Sequence, residues 1–259
     1  MAGKPWTREE TIIAFNLYCK IPFGKIHSTN PDVVKMATLM GRTSSSVSMK
    51  MGNLGSFDPK LMRRGVVGLK NASKLDEEVW NEFNGDWDRL TFESELLIAG
   101  LENKPIEAIQ SEYIPELRLE DIPIGKEREI IVKARVNQNF FRSTILSSYN
   151  GKCCISGLAV TRLLVASHIK PWSKDKENRT NPHNGLCLNS LHDKAFDTGL
   201  ITITPEYKVK VSSTIIDLVE SDTLKRFFLD FDGKAITLPE RFIPDPIFLE
   251  YHQQVVFQK

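Results

Sequence analysis

Ser167-His168-Ile169-Lys170-Pro171-Trp172 is followed, after a basic loop, by Asn184-Gly185-Leu186-Cys187-Leu188-Asn189-Ser190-Leu191-His192-Asp193-Lys194-Ala195-Phe196-Asp197, and these two stretches decide how the chain is read. The first ends an apolar run, Leu163 to Ala166, on a histidine. Pro171 then forces the backbone out of any sheet, because proline has no N–H to give to a ladder. Asn184-Gly185 is a turn pair opening a second apolar run at Leu186 and Leu188. Ser190 to Phe196 reads as a helix carrying His192 and Asp193, with Asp197 just after it, and Leu200 to Thr204 reads as a closing strand. The order is strand, loop, strand, helix, with polar chemistry at each junction.

This wording resembles the ββα-metal site of the HNH nucleases, and Ala166-Ser167-His168-Ile169-Lys170-Pro171-Trp172 with Asn184 to Asp197 is similar to a bacterial restriction-type branch of that family. The resemblance is strongest from Arg135 to Ile203 and weaker on to Phe257. It implies hydrolysis of a DNA phosphodiester, leaving 5′-phosphate and 3′-hydroxyl ends. That reaction needs an activated water, neutralised phosphoryl oxygens and help for the leaving oxygen. His168 is the expected general base, since an ordinary imidazole titrates near neutrality. Asn184 would orient it, and His192 completes the catalytic set. For the metal, Asp193 ranks first, His192 next and Asp197 third. Asp193 and Asp197 are four apart and share a helix face. Oxygen ligands suit Mg2+ or Mn2+ better than zinc. Ser167 stands where several relatives carry an acidic ligand. Lys170 and Arg179 are expected to contact DNA, and His183 to lie on the loop surface or touch phosphate.

Taken singly, each residue has a plainer reading. His168 could be a hydrogen-bonded structural histidine, Asn184-Gly185 a hairpin turn, and Asp197 a cap before Thr198-Gly199. Their conjunction in this order is what points to a nuclease.

A chain of 259 residues can hold one or two domains with a real core. Its formal charge of +1 excludes a global basic signature, so any DNA contact must come from local clustering. The four cysteines are Cys19, Cys153, Cys154 and Cys187. None forms a Cys-x-x-Cys pair, so no structural zinc is expected, and free buried thiols in a reducing compartment are. Met1 to Thr7 is polar and no apolar run is long enough to span a bilayer, so the expectation is a cytoplasmic protein with no membrane partner.

Upstream, Thr7 with Glu10 three residues later is a capping-box pattern opening a helix through Ile12, Ile13, Phe15 and Leu17. Asn30-Pro31-Asp32 opens a second helix that ends at Gly41, and Thr43 or Ser44 caps a third through Val47, Met51 and Leu54. This is the outline of a helix-turn-helix. Its third helix would present Ser45, Ser46, Ser48, Met49 and Lys50 outward, with Arg42 before it. Arg42, Ser46 and Lys50 are the expected DNA contacts; the alternative is a three-helix packing module without a ligand.

Residues 56 to 74 carry Lys60, Arg63, Arg64, Lys70 and Lys74, either as a backbone-contacting loop or as solvated surface. Residues 75 to 101 read as largely helical, with Trp80 and Trp87 placed either in the core or to stack on a base. Pro105, Pro115 and Pro123 mark 102–126 as a linker. Glu127 to Ser148 reads as a long helix whose Arg135 and Arg142, seven apart, either clamp phosphates or pair with acids. Tyr207 to Val211 alternates like a strand, and Phe248 to Phe257 reads as a helix docking on the nuclease core, with His252 structural or exposed.

The expectation is therefore an α+β chain: a helical, helix-turn-helix-like domain at 1–101, a linker at 102–126 and a ββα-metal HNH nuclease domain at 127–259. It would act on double-stranded DNA in restriction or defence, with the first domain selecting DNA, modified DNA among the options. One active site cuts one strand, so a double-strand cut would need a homodimer or two binding events. The rival readings are a non-catalytic DNA-binding regulator built on an HNH scaffold, and an effector nuclease switched on by a small signal.

Overall fold

The computed structural model describes residues 4–63, 72–106, 126–216 and 222–258. Arg64 and Lys70 of the basic segment lie outside the described residues, as does most of the expected linker with Pro115 and Pro123. The chain divides into two compact units, 1–144 and 145–259. Residues 127–144, which the sequence reading counted with the nuclease half, group by contact with the first unit.

The first unit is helical: α1 Arg8–Lys20, α2 Pro31–Leu39, α3 Ser44–Gly55, α4 Pro59–Arg63, α5 Lys74–Phe83, α6 Trp87–Glu102 and most of α7 Lys126–Ser148. Thr7 caps α1: its hydroxyl accepts from the Glu10 N–H at 3.2 Å, and the Glu10 carboxylate accepts from the Thr7 N–H at 2.9 Å. Every residue of α1 from Glu10 to Cys19 is buried, because α3, α5 and α6 pack around it. Asn16, in the middle of that buried face, donates to Ser94 Oγ at 2.5 Å and to Glu95 Oε1 at 3.1 Å. An amide that must find these partners fixes the register of α1 on α6.

Asn30 caps α2 and Thr43 caps α3, with Gly41 between them at φ 64°, a left-handed turn that glycine adopts without a Cβ penalty. The stretch predicted as largely helical from 75 to 101 is two helices. Gly85 at φ 109° breaks it, and Asp86 caps the second half. Trp80 and Trp87 are 4% and 3% exposed, and Trp80 stacks on Phe15 at 4.8 Å, so both belong to the core and neither is available to a base.

In the second unit, β1 Leu164–His168 and β2 Gly185–Asn189 pair antiparallel, Leu164 opposite Asn189 and His168 opposite Gly185. α8 Ser190–Asp197 follows directly and packs on both strands. β3 Ile201–Ile203 pairs with β4 Val209–Val211 in a separate two-stranded sheet, so the strand expected to close the module is partnered by the tail. Short helices α9 Ser213–Ile216, α10 Asp222–Phe227 and α11 Pro246–Tyr251 complete the unit, and α11 runs into a wide turn at His252–Val256.

That turn lies against Gly199, whose φ is 74°; a Cβ there would overlap the Val256 carbonyl. The Gln258 N–H also donates to Gly199 O at 2.9 Å. His252 is buried, stacks on Phe196 at 3.6 Å and bonds both Thr202 Oγ1 and Phe196 O, so it is structural. All four cysteines are free and buried. No helix among the described residues is long and apolar enough to cross a membrane.

Candidate active site

The site is built where β1 and β2 run out together. Ile169 N–H donates to Asn184 O at 3.0 Å, extending the ladder one step past His168 before Pro171 turns the chain away. Asn184, 1% exposed, then closes the loop between the strands with its side chain. Its Oδ1 accepts from the Lys170 N–H at 2.8 Å, and its Nδ2 donates to Lys170 O at 3.1 Å and Asn178 O at 3.3 Å. An amide supplies both a donor and an acceptor without charge; a carboxylate would lack the donor.

His168 Nε2 lies 2.8 Å from Arg179 O. A carbonyl only accepts, so Nε2 carries the proton and Nδ1 is the lone-pair nitrogen of the neutral ring. Burial lowers the His168 pKa to about 4; the bond to Arg179 O opposes this, and the Arg179 charge adds to it. The ring is therefore neutral at pH 7. Trp172 meets it edge-on at 5.5 Å, and the Arg179 guanidinium lies over Trp172 at 4.8 Å while its Nε donates to Trp172 O at 3.0 Å. The rest of the loop is held by Asp175, which pairs with Lys170 at 2.9 Å and accepts from Asn178 Nδ2 at 3.0 Å.

α8 supplies the acids. Ser167, 3% exposed at the end of β1, lies close enough to Asp193 to favour its charged form, as does Lys194, yet burial raises the Asp193 pKa overall. Asp197 is raised to about 6, first by the protein packed against one side of it and then by the charge of Asp193. Neither acid forms an ion pair with a described residue. A carboxylate raised by burial and by a second carboxylate beside it marks a place where a cation would be welcome. No group of three His, Cys, Asp or Glu able to hold a metal forms among the described residues. The donors present are two carboxylates with a neighbouring hydroxyl. That hard oxygen set fits Mg2+ or Mn2+, which take one or two carboxylates and complete their shells with water and phosphate.

His192, expected as catalyst or ligand, faces the interior instead. It is 1% exposed, with Nε2 donating to Phe227 O at 2.8 Å. Nδ1, thereby an acceptor, lies 3.1 Å from Asn189 Nδ2 and 3.6 Å from Cys153 Sγ. Phe228 and Phe231 meet the ring edge-on. With both nitrogens engaged in the interior, neither is left for a metal. Burial pushes the Cys153 thiol up, but bonds to His192 and Ser156 bring it down to about 7.

Among the expected DNA contacts, Lys170 is tied to Asp175 and lies over Tyr251 at 5.1 Å, and Arg179 is held against Trp172. His183 Nδ1 donates to Ile243 O at 2.7 Å, which makes it a tie between loop and tail. In the first unit, Arg135 and Arg142 are half-buried on α7, and Ser46 is half-buried at the start of α3. Arg42 and Lys50 are not outward-facing as expected. The Arg42 side chain is 6% exposed, paired with Glu10 at 2.6 Å; Lys50 is 4% exposed and paired with Asp76, which is fully buried. Both cations are consumed by burial, because a cation in the interior requires an acid beside it.

The residues missed by the sequence reading are Arg179, through its carbonyl, and Trp172. A main-chain contact leaves no letter in a sequence, whereas Trp172 stood beside the histidine in plain view.

A protein-family model described as HNH endonuclease matches residues 153–204, which contain His168, Asn184 and all of α8. No curated protein matches the chain.

Proposed function

We propose that the chain is a metal-dependent HNH endonuclease that hydrolyses double-stranded DNA in restriction or defence, with the first unit selecting the DNA. The observation that carries the nuclease reading is the fixed tautomer of His168. Arg179 O holds the proton on Nε2, and Asn184 pins the loop that delivers that carbonyl. The Nδ1 lone pair of the neutral ring would take a proton from the attacking water. Asp193 and Asp197 would hold the cation, with Ser167 beside them. Bound there, Mg2+ or Mn2+ would neutralise the scissile phosphate and assist the departing 3′ oxygen. Lys170 and Arg179 keep the loop in place, and Arg179 would add positive charge beside His168.

The test is cleavage of supercoiled plasmid, unmodified and carrying modified cytosine, with Mg2+, Mn2+ or EDTA. Wild type should cut with either metal and not with EDTA, and His168→Ala should be slower by roughly 100-fold or more. Equal rates for wild type and His168→Ala, or no cutting with any metal, would end this reading and favour a binding protein on an HNH scaffold.

A further inference from the structure

The loop that brings Arg179 O to His168 is laced together by its own side chains. Asp175 holds Asn178, Asn178 Oδ1 accepts from Asn181 Nδ2 at 2.8 Å, and Asn181 Oδ1 accepts from the His183 N–H at 3.0 Å. Pro182–Asn184 is one tight turn leading into β2, and Asn184 closes on Lys170 and Asn178. Bonds within a loop keep its shape but do not say where that shape sits. A tie from outside the loop runs through His183, a residue to which the nuclease chemistry gives nothing to do.

His183 is fastened twice to a strap at residues 240–245 of the tail. Its Nδ1 donates to Ile243 O at 2.7 Å, and its carbonyl accepts from the Asp245 N–H at 2.9 Å. The strap is itself gripped on other sides. The Glu240 N–H donates to Ser148 O at 2.8 Å, the buried Arg241 donates through Nη2 to Ser147 Oγ at 2.9 Å, and the Tyr207 hydroxyl donates to Pro244 O at 3.2 Å. Two aromatic residues here stand in the left-handed region, Phe242 within the strap at φ 52° and Tyr207 beside it at φ 60°. Large side chains avoid that region, and such strain persists only where the surroundings over-determine it. The His183 ring meets Phe242 edge-on at 5.8 Å, so the strained residue backs the tie.

We propose that His183 is a positioning residue for the His168 base: by fastening the Asn184 turn to the 240–245 strap, it sets where the Arg179 carbonyl stands. The inference rests on reading His168 as the base of a nuclease, and it carries the positioning of that base from the loop out to the tail. Hydrogen bonds weaken steeply as distance and angle depart from ideal. A turn free to shift would leave the Nε2–H without its acceptor for part of the time, and the ring would then share its proton between both nitrogens. An Nδ1 that carries the proton cannot take one from water.

The test reads the ring in the full 15N-labelled chain in EDTA, and the rate by plasmid cleavage with Mg2+ or Mn2+. Leucine and asparagine have the same outline, and only asparagine offers an N–H where His183 has Nδ1. His183→Leu should cut about tenfold more slowly at saturating plasmid with KM unchanged. Its His168 ring, one of five histidines and assigned with His168→Ala, should lose the single Nε2–H form of wild type and show both tautomers. His183→Asn should return both readouts close to wild type. Tyr207→Phe removes only the hydroxyl that grips Pro244 O, and it should move the ring the same way by less.

A single Nε2–H form in His183→Leu would overturn the proposal, and so would an asparagine variant as impaired as the leucine one. Where His183→Leu does not fold, a Tyr207→Phe ring identical with that of wild type overturns it instead, and a mixed one supports it. If no protein cuts plasmid with either metal, the nuclease reading falls, while the tautomer still shows whether His183 sets the ring. A wild type that cuts without holding the Nε2–H form leaves the nuclease and sinks this positioning.

Discussion

His168 and His192 each donate an N–H to a backbone carbonyl through Nε2. His192 spends its Nδ1 on Asn189 and Cys153 inside the second unit. His192→Gln should therefore lower stability, by about 2 kcal/mol from lost interior bonds, while the folded protein keeps the metal requirement of wild type. Asp193→Asn should do the reverse, melting near wild type and needing far more Mg2+ to cut. Thermal melts beside a Mg2+ titration of plasmid cleavage separate the two. His168 was legible in the sequence because it ended an apolar run just before a proline. The inward turn of His192 was not legible, because adjacent helix positions are turned about 100° from each other and a motif letter does not say which of the two faces inward. The rings that settle it, Phe228 and Phe231, arrive more than thirty residues later.

Helix starts were the most readable elements, because a cap is a local transaction. Thr7 with Glu10, Asn30 with Pro31, and Thr43 are each within three residues of the N–H groups they serve. β3 and β4 were both visible as strands, but the letters of β3 did not say whether it would pair with its neighbour along the chain or close on β1 and β2. The tail was anticipated as docking on the nuclease core, and the contact that allows this is Gly199. Gly199→Ala would meet both a left-handed φ and the Val256 carbonyl. It should cost roughly 3 kcal/mol or more and release the Gln258 and His252 contacts, seen as a lower urea midpoint and faster exchange of the Gln258 amide.

Across the whole molecule, a net charge of +1 conceals cations used to hold the first unit together. The Glu10 pKa is about 2 against an ordinary 4.5: burial alone would raise it, but hydrogen bonds from Arg42 and the Thr7 N–H, with the Arg42 charge, outweigh that. A carboxylate held below its unfolded value contributes fully above pH 4.5, and its contribution fades as pH falls toward 2. That contribution is about 3 kcal/mol, and Glu10→Gln should flatten it; circular dichroism melts between pH 5 and 2 would show the difference. Composition gave the total charge correctly and could not say which charges were already spoken for, because pairing is decided only when α1, α3 and α5 meet. The bond that sets the His168 proton depends on such an assembly too, but its acceptor is main chain, a group that every residue carries. Its inheritance lies in the length of the loop rather than in its spelling. Point changes along 173–183 that spare the tying side chains of Asp175, Asn178, Arg179 and His183 should be forgiven, whereas the gain or loss of one residue there would carry the carbonyl out of reach and silence the proposed base with every motif letter intact.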